Sequence, residues 1–146
     1  MATSLHTRTV IPQTNTPPQR TVQRYRGFST VSTATQNFAL YDFELIKQDL
    51  LNNFYVRQGE RLMNPEYGTV IWDVLFEPLT EEVKNLILRN VNQIFNADPR
   101  VQAGNIVITP YDQGLQIQCT LTYLLYNLQE ALQLNFDRDN GLLITQ

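Results

Sequence analysis

From position 115 the chain alternates: Leu115, Ile117, Cys119, Leu121, Tyr123 and Leu125 fall at every second residue, between Gln116, Gln118, Thr120, Thr122 and Leu124. Successive side chains of a strand point to opposite faces, so this stretch reads as a long β-strand with one buried face. No other feature restricts the fold as much. A one-faced strand needs neighbours at its edges and a second layer over its apolar side. The β-branched run 105–109 is a short strand, and residues 110–114 supply a turn into the long one. Leu132, Leu134 and Phe136 alternate with Gln133, Asn135 and Asp137 in a further strand over 131–137. Asn140-Gly141 is a hairpin signal ahead of Leu142, Leu143 and Ile144.

The covering layer comes from two amphipathic segments. Over 41–53, Phe43, Ile46 and Leu50 fall on one stripe that continues to Phe54, with Leu45 and Leu51 beside it. Over 81–96, Val83, Leu86, Ile87, Val91, Ile94 and Phe95 follow helical spacing, with Lys84, Asn85, Arg89, Asn92 and Gln93 opposite. Thr80 is placed as an N-cap, Glu81 and Glu82 favour the helix dipole, and Pro99 closes the helix. The predicted architecture over 38–146 is α+β: two main helices packed on one face of a small, mainly antiparallel β-sheet.

Residues 1–37 differ in kind. They are rich in Thr, Gln, Asn and Pro, show no strand or helix periodicity, and read as an extended N-terminal arm. Val10, Ile11, Val22, Tyr25, Phe28 and Val31 give that arm apolar anchors for a neighbour. It holds four arginines (Arg8, Arg20, Arg24 and Arg26) and no acid, whereas the remainder holds 14 acids against seven bases. A basic arm on an acidic body points to an acidic protein surface as partner. Four scattered arginines make a weak phosphate footprint, so nucleic acid is not expected. The start of the sequence has no secretion-signal pattern, and no apolar run approaches the roughly 20 residues of a membrane span, so no membrane partner is expected. Cys119 is the single cysteine, which excludes an intrachain disulfide and fits assembly in a reducing cytoplasm.

Two segments stand out as sites. In 59–78, Gly59, Pro65 and Gly68 punctuate a loop that carries Glu60, Arg61 and Glu66, followed by an apolar burst of Val70, Ile71, Trp72, Val74, Leu75 and Phe76. The loop reads as a docking element, and the burst as a short helical turn that is buried, with Trp72 packed inward. Gly59 and Gly68 serve backbone geometry, through positive φ or close approach. The second segment is Asp98-Pro99-Arg100, between helix and strand. Its proline fixes the backbone so that the Arg100 fork is aimed, either at Asp98 as a brace or at a partner carboxylate.

These two segments, in this order, resemble the GPW/gp25 family, baseplate wedge proteins of contractile-tailed bacteriophages related to a baseplate component of type VI secretion systems. The resemblance begins near Gly27-Phe28-Ser29-Thr30 and reaches the C-terminal strands. The family carries Glu-Pro-Arg where this chain has Asp98-Pro99-Arg100, one methylene shorter in the acid. The resemblance implies a structural virion protein of the tail baseplate, assembled in the host cytoplasm and present in several copies around the tail tube. It implies that the Asp98-Pro99-Arg100 corner meets the helical core bundle of other wedge proteins; Glu60 and Arg61 either clamp their loop internally or contact a neighbour, and Gly59, Pro65 and Glu66 join them as candidate partner-binding residues. It also implies a first template ring for the tail sheath protein, formed by strand addition at the strands over 115–126 and 131–137 and the hairpin over 142–145. Asp137, Arg138 and Asp139 would shield that edge or set the register of the incoming strand.

Members of this family often carry a lysozyme label, so enzymatic chemistry is the alternative. His6 is the only histidine and lies in the arm, which excludes Ser-His-Asp and Cys-His triads on the body and Cys/His zinc sites. No phosphate-binding loop is present, and no cofactor or metal is expected. A glycosidase would draw on Glu60 or Glu66 with Asp73 or Glu77. Carboxylates beside arginines, as Glu60 beside Arg61 and Asp98 beside Arg100, form ion pairs that lower their pKa, the opposite of a general acid.

Overall fold

The computed structural model describes residues 25–28 and 39–145. Strand β1 (Arg26–Phe28) pairs antiparallel with β2 (Ala39–Tyr41), which runs into helix α1 (Asp42–Tyr55). A one-turn helix α2 (Ile71–Val74) and a long helix α3 (Glu81–Ala97) follow. The chain then makes a meander of β3 (Val101–Tyr111), β4 (Gly114–Tyr123), β5 (Leu128–Asp137) and β6 (Gly141–Thr145), in spatial order β3-β4-β5-β6 and antiparallel throughout.

The alternation in β4 does what its period requires. Leu115, Ile117, Cys119, Leu121 and Tyr123 are buried, and Leu132, Leu134 and Phe136 of β5 lie opposite Cys119, Ile117 and Leu115 on the same face. Ile46, Leu50 and Phe54 of α1 and Ile87, Val91, Ile94 and Phe95 of α3 complete the core. Phe54 stands at its centre, with ring centroids 5.6 Å from Phe95 and 6.2 Å from Phe136. Lys47 enters the core with its charge matched: Nζ lies 2.6 Å from Glu130 Oε1, and the Tyr123 hydroxyl donates to Glu130 Oε2 at 3.0 Å. The other face of the sheet is polar, with Gln116 donating to Asn135 across the strands at 3.0 Å. Thr80 caps α3 as its sequence position predicts, accepting from Val83 N–H.

Several sequence expectations are corrected. β3 runs for 11 residues rather than five, because Gly104 and Asn105 (φ +51°) absorb a bulge before Val107 and the ladder resumes. Pro110 lies within β3 rather than in a turn, which an edge strand tolerates. Leu125 falls outside β4: the chain turns at Leu124–Asn127, with Asn127 at φ +49°, and β5 begins at Leu128. Leu86 is 40 % exposed, because α3 presents only one side to the sheet. The hairpin before β6 is built on Asp137, whose Oδ1 accepts from the Asp139 and Asn140 N–H groups at 2.9 Å, with Gly141 at φ +77°. Arg26–Phe28, read as part of a patternless arm, form strand β1. Asp42 fixes it to the start of α1 by exchanging hydrogen bonds with Tyr25 at 3.1 and 3.2 Å. Of the arm's anchors, Tyr25 packs on the core and Phe28 is exposed; Val10, Ile11, Val22 and Val31 lie outside the described residues.

Candidate docking site

At the corner where α3 passes into β3, the aimed fork of Arg100 closes on its own chain. Nε donates to Asp98 Oδ1 at 2.8 Å and Nη2 to Asp98 Oδ2 at 2.6 Å, while Nη2 also reaches Asp49 Oδ2 on α1 at 3.0 Å. The Arg100 N–H donates to Asp98 Oδ1 as well, so the acid caps the strand entry. Proline between them holds this geometry, because φ of Pro99 is fixed. The hydrogen bond from Arg100 holds the Asp98 carboxyl below the usual carboxylate range, and the same partner raises Arg100. The Tyr25 ring lies 5.6 Å from the guanidinium.

The loop after α1 is pinned at both ends and across its middle. Thr69 N–H donates to Val56 O and Gln58 N–H to Thr69 O at its base, and Gly59 N–H donates to Pro65 O across it at 3.0 Å. Glu60 folds back along the exposed loop, its carboxylate accepting from Arg57 N–H at 3.1 Å. Arg61 stacks over the Tyr67 ring at 3.7 Å. The two glycines divide their roles. Gly59 (φ +91°) has open space around it, so its conformation alone requires glycine. Gly68 (φ +105°) also lies so close to the backbone just after α1 that a Cβ would sit 2.6 Å from Val56 O.

These two segments meet. A groove of about 620 Å³ is lined by Asp98, Pro99 and Arg100 together with Arg61, Tyr67, Asp49 and Asn53. The remaining predicted docking residues lie elsewhere: Gly59, Glu60 and Pro65 are on the exposed body of the loop, and Glu66 lines a second hollow beside Gly68 and Asn90. After the loop, Trp72 packs as predicted, its indole N–H donating to Phe54 O at 2.9 Å and its ring 5.2 Å from Phe136. Phe76 does not follow it inward and is 71 % exposed, because α2 ends at Val74 and Phe76 lies past its single buried side. The Arg138 guanidinium lies 5.5 Å from that ring and donates twice to Leu75 O. Arg138 and Asp137 are thereby engaged within the fold.

Sequence reasoning missed three groups. Asn90, buried on α3, accepts from the Thr69 hydroxyl at 2.9 Å and Val70 N–H at 3.2 Å, and so holds the end of the loop to the helix. Its signal was an amide within the apolar stripe of 81–96. Asp49 was unmarked because its partner is 51 residues away. Leu62 and Met63 stand side by side on the loop at 94 % and 98 % exposure, an adjacent apolar pair presented to solvent.

The acids weighed for glycoside hydrolysis lie at the surface. Glu60, Glu66, Asp73 and Glu77 are all exposed, and Asp73 is ion-paired with Arg57. A general acid needs burial to stay protonated at neutral pH. The carboxylates of the large groove, Asp49 and Asp98, are both held by Arg100. Among the described residues no group of His, Cys, Asp and Glu could hold a metal ion.

The sequence profile for baseplate wedge protein gp25 matches residues 42–129, from the start of α1 into β5. No curated protein sequence matches. A candidate tail lysozyme from Geobacter sulfurreducens, solved by crystallography, is 21 % identical over 63 % of this chain and 90 % of that one, with a TM-score of 0.52. At that identity the likeness is one of fold. A cryo-EM structure of the anti-feeding prophage baseplate, six-fold symmetrised, contains a chain 27 % identical over 66 % of this chain and 78 % of that one, with a TM-score of 0.51. The protein belongs to the baseplate wedge protein gp25 family.

Proposed function

We propose that this family member is a structural subunit of the tail baseplate wedge that joins the wedge core to the first sheath ring and templates sheath assembly by accepting a strand. Family membership and the baseplate likeness support the structural role at the baseplate. The observation that carries the finer reading is the asymmetry of the sheet edges. β4 and β5 are paired on both sides, so the strands over 115–126 and 131–137 have no edge to offer. That removes two of the three segments to which the sequence reading assigned strand addition and leaves the hairpin over 142–145. β3 forms one edge, but its bulge and Pro110 interrupt the row of donors and acceptors that a guest strand would read. β6 forms the other edge. Among the described residues it pairs only with β5, and it has neither bulge nor proline. Strand addition therefore goes to β6.

The same proposal assigns the wedge-core contact to the groove between Arg61 and the Asp98-Pro99-Arg100 corner. Several copies around the tail tube, and assembly in the host cytoplasm before incorporation into the virion, belong to the same proposal. Cryo-EM of intact tails tests it. A sheath strand paired along Gly141–Thr145 is expected. A β6 edge facing solvent in tails with complete sheath would refute strand addition at this site.

A further inference from the structure

We propose that Leu62 and Met63 form a preformed apolar plug that seats in a crevice of a neighbouring baseplate protein, rimmed by a carboxylate that pairs with Arg61. This rests on the wedge reading and names the contact that reading requires. Exposed single apolar residues are ordinary. Here two adjacent ones protrude at 94 % and 98 % exposure, well beyond Phe28 and Phe76 at 71 %. The loop beneath them is held by the Gly59–Pro65 bond and by Asn64 N–H and Tyr67 N–H donating to Arg61 O and Asn64 O at 3.1 Å each. A plug already held in shape loses little conformational entropy on docking, which is the condition for an interface hot spot.

Charge selects the partner. Arg100 is committed to Asp98 and Asp49, so it is not the cation offered to a neighbour. Arg61, next to the plug, is exposed and stacked on Tyr67, and no carboxylate among the described residues lies within ion-pair distance of it. The complement is an apolar crevice with an acid at its rim. The chain's own apolar crevice, lined by Val74, Leu79 and Ile87, carries Arg138 as well as Glu77, so it offers no net acid to Arg61, and a second copy is the competing occupant that the test below separates.

Oxidation footprinting of Met63 tests this in the full chain. The only other methionine is Met1, and the tryptic peptide that follows Arg61 carries Met63 alone. Peroxide should oxidise Met63 readily in the free chain and about tenfold or more slowly in purified tails. Equal rates in both would overturn the plug, as would concentration-dependent protection in the free chain, which would make a second copy the occupant. A Leu62→Ser/Met63→Ser chain should melt with the parent yet enter tails with affinity reduced about 30-fold or more. Arg61→Glu should weaken incorporation in the same direction. Normal incorporation of the double-serine chain overturns the plug while leaving the wedge reading intact. Absence of the parent chain from purified tails overturns both.

Discussion

Replacing Arg100 with alanine strips the α3–β3 corner of its fork while leaving Pro99 and the strand entry in place. Three side-chain hydrogen bonds are lost, two to Asp98 and one to Asp49. They are not equal. The Asp49 side chain is 46 % exposed, so its pair with Arg100 contributes about 0.5 kcal/mol. Asp98 is only 14 % exposed and would keep a single donor, the backbone N–H of residue 100. Hydrogen bonds to charged groups run to roughly 1.5–3 kcal/mol, and solvent access at the corner trims the Asp98 share to about 2 kcal/mol. A loss of about 2–2.5 kcal/mol lowers the melting temperature of a domain of this size by roughly 6–8 °C. Arg100→Lys keeps the charge but not the fork and should lose about half as much.

The pH dependence gives an independent check on the same residues. Arg100 depresses the folded-state pKa of Asp98. A depressed carboxyl contributes stability that is present above its unfolded pKa, near about 4, and is lost as pH falls through the lower folded value. The gap between parent and Arg100→Ala should therefore be full at neutral pH and narrow in acid. Thermal melts followed by circular dichroism at pH 7 and pH 3 measure both. A variant melting within about 1 °C of the parent at pH 7 would refute the brace, as would a gap that stays constant in acid. If such a variant also failed to enter tails, Arg100 would be a partner contact after all.

Two further outcomes follow from local geometry. Gly68→Ala should cost about 3 kcal/mol or more, because it combines φ +105° with a Cβ 2.6 Å from Val56 O, whereas Gly59→Ala, with open space around it, should cost about 1 kcal/mol in urea unfolding. Burial pushes the Cys119 thiol up to about 11, so in the native chain it should react with a disulfide reagent at pH 8 about 100-fold more slowly than in denaturant.

What the sequence showed plainly was whatever rests on periodicity. The buried face of β4, the cap at Thr80 and the two long helices each follow from spacing alone. Missed features depend on partners distant in sequence. Nothing near Pro110 says that its strand will lie at an edge, and nothing near Asp49 names Arg100. The bulge at Gly104–Asn105 hid the true length of β3, since a positive-φ asparagine reads locally as a turn. Phe76 was misplaced because an apolar run gives no sign of where a one-turn helix stops exposing its buried side. At the docking site the sequence singled out both segments but could not show that Arg61 and Arg100 line one groove, nor that only one of them is free of an acid.

That difference separates two tasks that a single triplet seemed to combine. A residue held by two carboxylates of its own chain orders three elements at once: α1 through Asp49, the end of α3 through Asp98, and the entry to β3 through its own backbone. The groove wall is then rigid before any partner arrives. The loop opposite is rigid by other means, through Gly59, Pro65 and the Asn90 tether, and it keeps its cation and apolar side chains directed outward. Brace and contact can therefore be separated by substitution, provided stability and incorporation are measured on the same variants. Changes at Arg100 should move both together, with incorporation falling only as far as folding does. Changes at Arg61, Leu62 and Met63 should reduce incorporation and leave the melting temperature unchanged. A rigid wall beside a rigid plug also limits how the neighbour can sit, and under the proposed function that would fix the angle at which β6 meets an incoming strand.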